Sequence, residues 1–138
     1  MQNDPNNLKD NVTNIMNTPD QTSQFDPADI AANKGMAILS YLGFLFLIPL
    51  LAAPNSRFAR FHVNQGLVLF IAEAAYGIVY GVLTTIFYAI SWVLGAIFSA
   101  VLGLVGIVFF VFLIIGILNA ANGKAKTLPL IGNISIIK

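Results

Sequence analysis

Glu73 is the one charged side chain in the 53 residues from Gly66 to Leu118. On a helix it lies ~10 Å past Gly66, at a depth where an ionised carboxylate costs about 3 kcal/mol or more unless it faces protein or water. At about 100° per residue, His62, Gln65, Glu73, Tyr76, Tyr80 and Thr84 share one face. Such a polar stripe through hydrocarbon has two readings. It can relay protons or cations, or offer a groove to a polar segment of a partner. Alternatively, a neutral or hydrogen-bonded Glu73 and the tyrosine hydroxyls hold helices together. Relays usually need several ionisable groups, and only one lies deep here.

The rest of the chemical inventory is short. With one histidine and no cysteine, a four-ligand metal site within one chain is not expected. The sequence shows no Ser-His-Asp set, phosphate-binding glycine loop or carboxylate pair. The expectation is therefore a protein that is not an enzyme, with no cofactor and no metal. The net charge is +1, and no basic face exists to track nucleic-acid phosphates.

A second constellation is made of small residues. Gly77 and Gly81 form a G-x-x-x-G, and Gly95, Ser99 and Gly103 repeat the four-residue spacing further on. Ridges of this kind let helix backbones approach closely in lipid, within a hairpin or between chains. The segment NSRFARFHVNQGL, residues 55–67, holds both arginines and the only histidine. Arg57, Arg60, Trp92, Lys124 and Lys126 read as interfacial anchors that snorkel or sit at headgroup level.

The elements that would position these residues are set by composition. The chain has 138 residues, 57% hydrophobic and 9% charged, with a mean hydropathy of +0.80. A soluble domain carries about 25% charged residues, so most of this surface must face lipid. Residues 1–35 hold five of the six acids. Residues 1–24, polar and with hardly any aromatics, are expected to be a disordered tail, and 25–138 a helical membrane domain. The opening residues lack the basic and apolar regions of a signal peptide, so the first apolar run is expected to stay as an anchor.

That domain is expected to be all-α with three transmembrane helices, at about 36–53, 66–87 and 96–118. Asp26, Pro27 and Asp29 suit a helix start. Pro49 should kink or end the first span near residues 45–49. The run from 66 to 118, ~80 Å as one helix, must fold back, best near Tyr88 to Gly95. Asn119, Asn122 and Gly123 stop the last span. The 12-residue tail TLPLIGNISIIK is too short to cross and should lie along the interface or pack on the bundle. Three spans put five cations on the side of residues 54–65 and the C-terminus, against Lys34 and Lys9 on the other. This favours the N-terminus outside and the C-terminus cytoplasmic, in a bacterial inner membrane.

FDPADIAANKGMAILSYLGFLFLIPLL, NSRFARFHVNQGLVLFIAE and GILNAANGKAKTLPLIGNI resemble a large bacterial family of small membrane proteins, catalogued as a domain of unknown function. It includes the magnetosome membrane protein MamF and is distantly similar to the twenty-kilodalton component of the chloroplast inner-envelope import channel. The resemblance spans about residues 25–134. It implies a helical membrane domain behind a variable polar N-terminus, self-association, and neither catalytic activity nor cofactor. Three roles follow as expectations: helix–helix association with itself or a membrane partner, a transport or channel component built on the stripe, and a protein-translocation helper. The lipid bilayer is the partner common to all three; nucleic acid is not one.

Overall fold

The computed structural model describes residues 5–138. Its elements are α1 (Pro5–Met16), a 3-10 turn (Thr22–Gln24), α2 (Pro27–Leu39), a second 3-10 turn (Gly43–Phe46), α3 (Leu47–Ala52), α4 (Arg57–Ile90) and α5 (Trp92–Ala121). Among the described residues the architecture is helical throughout, in line with the expected class. Two of these helices, not three, are long and apolar enough to cross a membrane.

α4 and α5 form an antiparallel hairpin. At ~1.5 Å per residue their 34 and 30 residues span ~51 and ~45 Å, more than a ~30 Å hydrocarbon core. Only 17% and 11% of their most apolar 18-residue stretches are buried within the protein. A core helix of a soluble protein would be mostly covered. Here the apolar surface points outward, so lipid is its solvent. The bend falls at Ser91 alone, whose hydroxyl caps α5 by accepting from Val93 N–H. The expected bend region, 88–95, is therefore right, but the two helices run closer to it than the expected ends at 87 and 96. Phe87 and Phe98 stack at 3.7 Å, and the Tyr88 ring lies over Gly95, where a Cβ would come within 2.3 Å of it.

The expected first span is not one helix. α2 starts as its sequence dictates: Asp26 accepts from Ala28 N–H at 2.9 Å and Pro27 occupies the first turn. It stops at Leu39, before the proline expected to break it. Gly43 takes φ +58, a left-handed conformation that suits glycine, and the chain tightens into a 3-10 turn. Pro49 then sits in the first turn of α3, where its missing N–H is not needed. The run folds back on itself. Asp29 and Asn33, near the start of α2, share a cleft with Ala52 to Ser56 at the end of α3. Both ends of the 36–53 run thus lie at one end of the protein, as a helical hairpin packed on α4.

The segment ahead of α2 pairs with the segment after α5. Gln21 N–H donates to the Ala125 carbonyl at 2.9 Å and Ala125 N–H to Thr22 Oγ1 at 2.9 Å, beside an isolated bridge between Asp20 and Lys126. Ordered packing therefore begins at about residue 20 and not 25. The segment expected to be a disordered tail also carries α1; its first four residues lie outside the described ones.

A packed head forms where these pieces meet. Ala37 and Tyr41 of α2, Phe58 and Leu69 of α4, Phe112 and Ala120 of α5, and Ala125 and Leu128 beyond it make the buried cluster. The closest approach is at Gly66: a Cβ there would lie 1.7 Å from the Ser40 carbonyl oxygen. Only a residue without one admits the 36–53 hairpin. At the end of α5, Gly123 takes φ +68, the left-handed stop expected of it.

Candidate functional site

The polar residues ahead of the long apolar run are buried. His62 is fully enclosed, and Asn64 and Gln65 are nearly so. Their partners are backbone groups of the C-terminal segment. Asn64 Nδ2 donates to the Ile134 carbonyl at 2.8 Å, while its Oδ1 accepts from Ile136 and Ile137 N–H at 2.6 and 2.9 Å. Gln65 Nε2 donates to the Gly132 carbonyl and its Oε1 accepts from Leu128 N–H, at 2.8 and 2.9 Å. A segment without helix or strand must satisfy its backbone elsewhere. Two amide side chains, each with a donor and an acceptor end, do this. The tail is thus hydrogen-bonded to α4 through Asn64 and Gln65.

His62 sits among Phe58, Phe61 and Tyr41, with ring centroids at 4.7, 5.2 and 5.7 Å. The Tyr41 hydroxyl lies 2.9 Å from Nδ1. With Tyr41 donating, the ring proton belongs on Nε2, which has no hydrogen-bond partner among the described residues although the Lys124 backbone comes near. His62 thus links α2, α4 and the chain after α5. Among the described residues no group of three His, Cys, Asp or Glu side chains could hold a metal.

Asp29 is a hub that sequence reasoning assigned only to the helix dipole. Its Oδ2 accepts from Phe58 N–H at 3.0 Å, and its Oδ1 from Asn33 at 2.8 Å. Burial pushes the carboxyl up, but bonds from Ser56, the Phe58 and Arg57 N–H groups and Asn33 outweigh it and hold the group below the usual carboxylate range. Ser56 caps α4 directly by accepting from Ala59 N–H at 3.0 Å, and Asp29 supplies a second, tertiary cap.

The lower stripe is the α4–α5 seam. The Tyr76 hydroxyl donates to the Leu102 carbonyl, and the Tyr80 hydroxyl reaches Ser99 Oγ at 3.4 Å. Thr84 turns back to the Tyr80 carbonyl of its own helix at 2.7 Å. Tyr76 also packs on Phe109 at 5.3 Å. Glu73 is half-buried at the edge of this seam, with no hydrogen-bond partner among the described residues. The structure therefore divides the six-residue stripe in two: His62 and Gln65 belong to the head, and Tyr76, Tyr80 and Thr84 to the hairpin.

The small residues divide as well. Gly95 and Ser99 are used inside the hairpin. Gly77, Gly81 and Gly103 have nothing within 4 Å of a built Cβ, so these three do not bring the two helices together. Of the expected anchors, Trp92 is 76% exposed at the hairpin tip. Arg57, Arg60, Lys124 and Lys126 are all at the head end. Arg57 lies over the Phe25 ring at 5.7 Å, and Arg60 donates to the terminal carboxyl group of Lys138.

No curated protein and no solved structure gives a significant match to the chain. The likeness to the chloroplast import component therefore rests only on the segments quoted from the sequence. Residues 32–136 match the profile of one family, and this stretch takes in the 36–53 hairpin, both long helices and the docked tail. The chain belongs to the MamF/MmsF magnetosome magnetite crystal formation protein family.

Proposed function

We propose that this chain is a non-enzymatic packing subunit of a bacterial magnetosome membrane, which contributes to magnetite crystal formation by associating with further copies of itself through the outer face of α4. The family description supplies the process. The observation that carries the mode of action is the face left over. Ala74, Gly77, Gly81 and Thr85 are exposed on α4, and both glycines have open space above them. Thr85 bonds the Gly81 carbonyl of its own helix at 2.7 Å, so it offers lipid no free donor. A smooth ridge of this kind admits a second helix backbone at close range.

Since a Cβ at 77 or 81 has nothing within 4 Å among the described residues, Gly77→Leu and Gly81→Leu are expected to keep the fold, checked by helix content, and to report on contacts between copies. Oligomer size in mild detergent is expected to fall in both variants. Unchanged assembly in both would overturn the reading.

In this proposal α4 and α5 cross the inner membrane, the 36–53 hairpin re-enters without crossing, and the head with its cations faces the cytoplasm. Glu73 supports a second reading, a transport component. It is half-buried without a hydrogen bond and shares the α4 face that carries Gly77, so a neighbouring copy would enclose it. Proton or cation flux in liposomes that Glu73→Gln abolishes would favour this reading, and wild-type liposomes with no flux at any pH would reject it.

A further inference from the structure

We propose that the groove between the first turns of α4 and the C-terminal segment binds the phosphate of an anionic lipid headgroup, gripped by Arg57 and Arg60. The groove has a volume of about 490 Å³ and is lined by Arg57, Arg60, Lys138, Asn133 and Ser135, with no Asp or Glu side chain on its wall. Three cationic side chains around one concavity outnumber the single terminal carboxyl group of Lys138 and leave a net positive site.

The guanidinium groups are held but not used up. Arg57 is steadied by the Phe25 ring. Arg60 spends one donor on the terminal carboxyl group of Lys138. Among the described residues neither guanidinium bonds an Asp or Glu side chain, so most of their donors remain for a ligand. The planar fork of arginine matches the paired oxygens of a phosphate. The floor is preformed, because the Asn64 and Gln65 amides are committed to the backbone of the C-terminal segment.

A lipid fits better than a soluble phosphate because of what flanks the groove. Ile134 and Ile137 line it, Ile134 is 51% exposed, and Leu130 and Ile136 are exposed on the same segment. Leu51, at the end of the re-entrant hairpin and close in the chain to Arg57, is 78% exposed. Apolar side chains at this level would reach the acyl layer, which puts the groove among lipid phosphates.

The test uses the full chain in nanodiscs of phosphatidylcholine doped with spin-labelled phosphatidylglycerol, reading the motionally restricted lipid fraction. The wild type is expected to prefer phosphatidylglycerol over spin-labelled phosphatidylcholine. Arg57→Gln and Arg60→Gln should each weaken that preference about fivefold. Lys124→Gln, a charge change outside the groove, should leave it in place. Arg57→Lys keeps the charge without the fork and should fall between wild type and Arg57→Gln.

An equal loss in Lys124→Gln would mean surface charge alone, and no preference in the wild type would mean no site. Either result overturns the proposal. Displacement of the labelled lipid by millimolar inorganic phosphate would assign the groove to a free anion and overturn the lipid source.

Discussion

The carbonyl oxygen of Ser40 occupies the place where residue 66 would carry its Cβ, 1.7 Å from the ideal position above Gly66. This contact fixes how deeply the re-entrant hairpin seats against α4, and backbone cannot swing aside as a flexible side chain can. Gly66→Ala should therefore destabilise the head by about 1–3 kcal/mol, as overpacked cores do. Gly77→Ala, with open space above it, should be neutral or slightly stabilising through helix propensity. Thermal unfolding followed by circular dichroism in mild detergent separates them; equal midpoints for the two variants would mean that the Ser40 contact is absent.

Gln65 should matter through its two ends together. Gln65→Leu fills similar space but strands the Leu128 N–H and the Gly132 carbonyl in a buried setting, at about 1–3 kcal/mol each. The C-terminal segment is expected to loosen before the bundle melts. Trypsin should then cut after Lys124 or Lys126 several-fold faster than in the wild type, while helix content holds. A cleavage rate unchanged from the wild type would remove the clamp from the account.

The sequence disclosed the helical class, the cap at Asp26, the bend near Ser91 and the stop at Gly123, because each is a local signal. It misplaced the 36–53 run because 18 apolar residues read alike whether they cross a bilayer or double back. What decides is the left-handed Gly43 and the seat at Gly66, and both depend on tertiary neighbours. The docking role of Asn64 and Gln65 was not legible for a similar reason: their partners lie 63 to 73 positions away in the chain. One clue was available. A 12-residue tail without regular structure needs hydrogen-bond partners for its backbone, and the paired amides in the N-terminal part of α4 are the groups able to supply both kinds. Spacing made Gly77 and Gly81 a ridge, but spacing does not say whether a ridge faces in or out.

Asp29 gives the head an acid-sensitive joint. Its carboxyl is held below the usual value of 3.8 by the groups that donate to it. A depressed folded-state value means the stabilisation is fully present above the unfolded value and is lost as pH falls through the folded one. Wild-type thermal stability should therefore fall as pH drops below about 4. Asp29→Asn, which keeps the shape but not the charge, should melt lower at pH 7 and show a shallower acid-side loss. Asp20, held low chiefly by its bonds to Thr22, is intact in both proteins, so the difference isolates Asp29. Parallel acid profiles would assign the sensitivity elsewhere.

The placement of the two ends is open to direct chemical measurement, because the chain has no cysteine and every introduced thiol is unique. Ser23 and Ser135 are exposed; Ser23 follows the pairing between residues 20–22 and 125–126 directly, and Ser135 lines the same groove as Gln21. Ala89 is exposed at the hairpin tip, one turn from Trp92. If α4 and α5 cross and the 36–53 run only re-enters, an impermeant maleimide should label cysteines at 23 and 135 from the same face of sealed vesicles. A cysteine at 89 should react from the other face. The clustering of cations at the head predicts that the shared face is cytoplasmic, so right-side-out vesicles should protect 23 and 135 while inverted vesicles expose them. Labelling of 23 and 135 from opposite faces would restore a third crossing, and the pairing of Gln21 with Ala125 could not then exist within one chain.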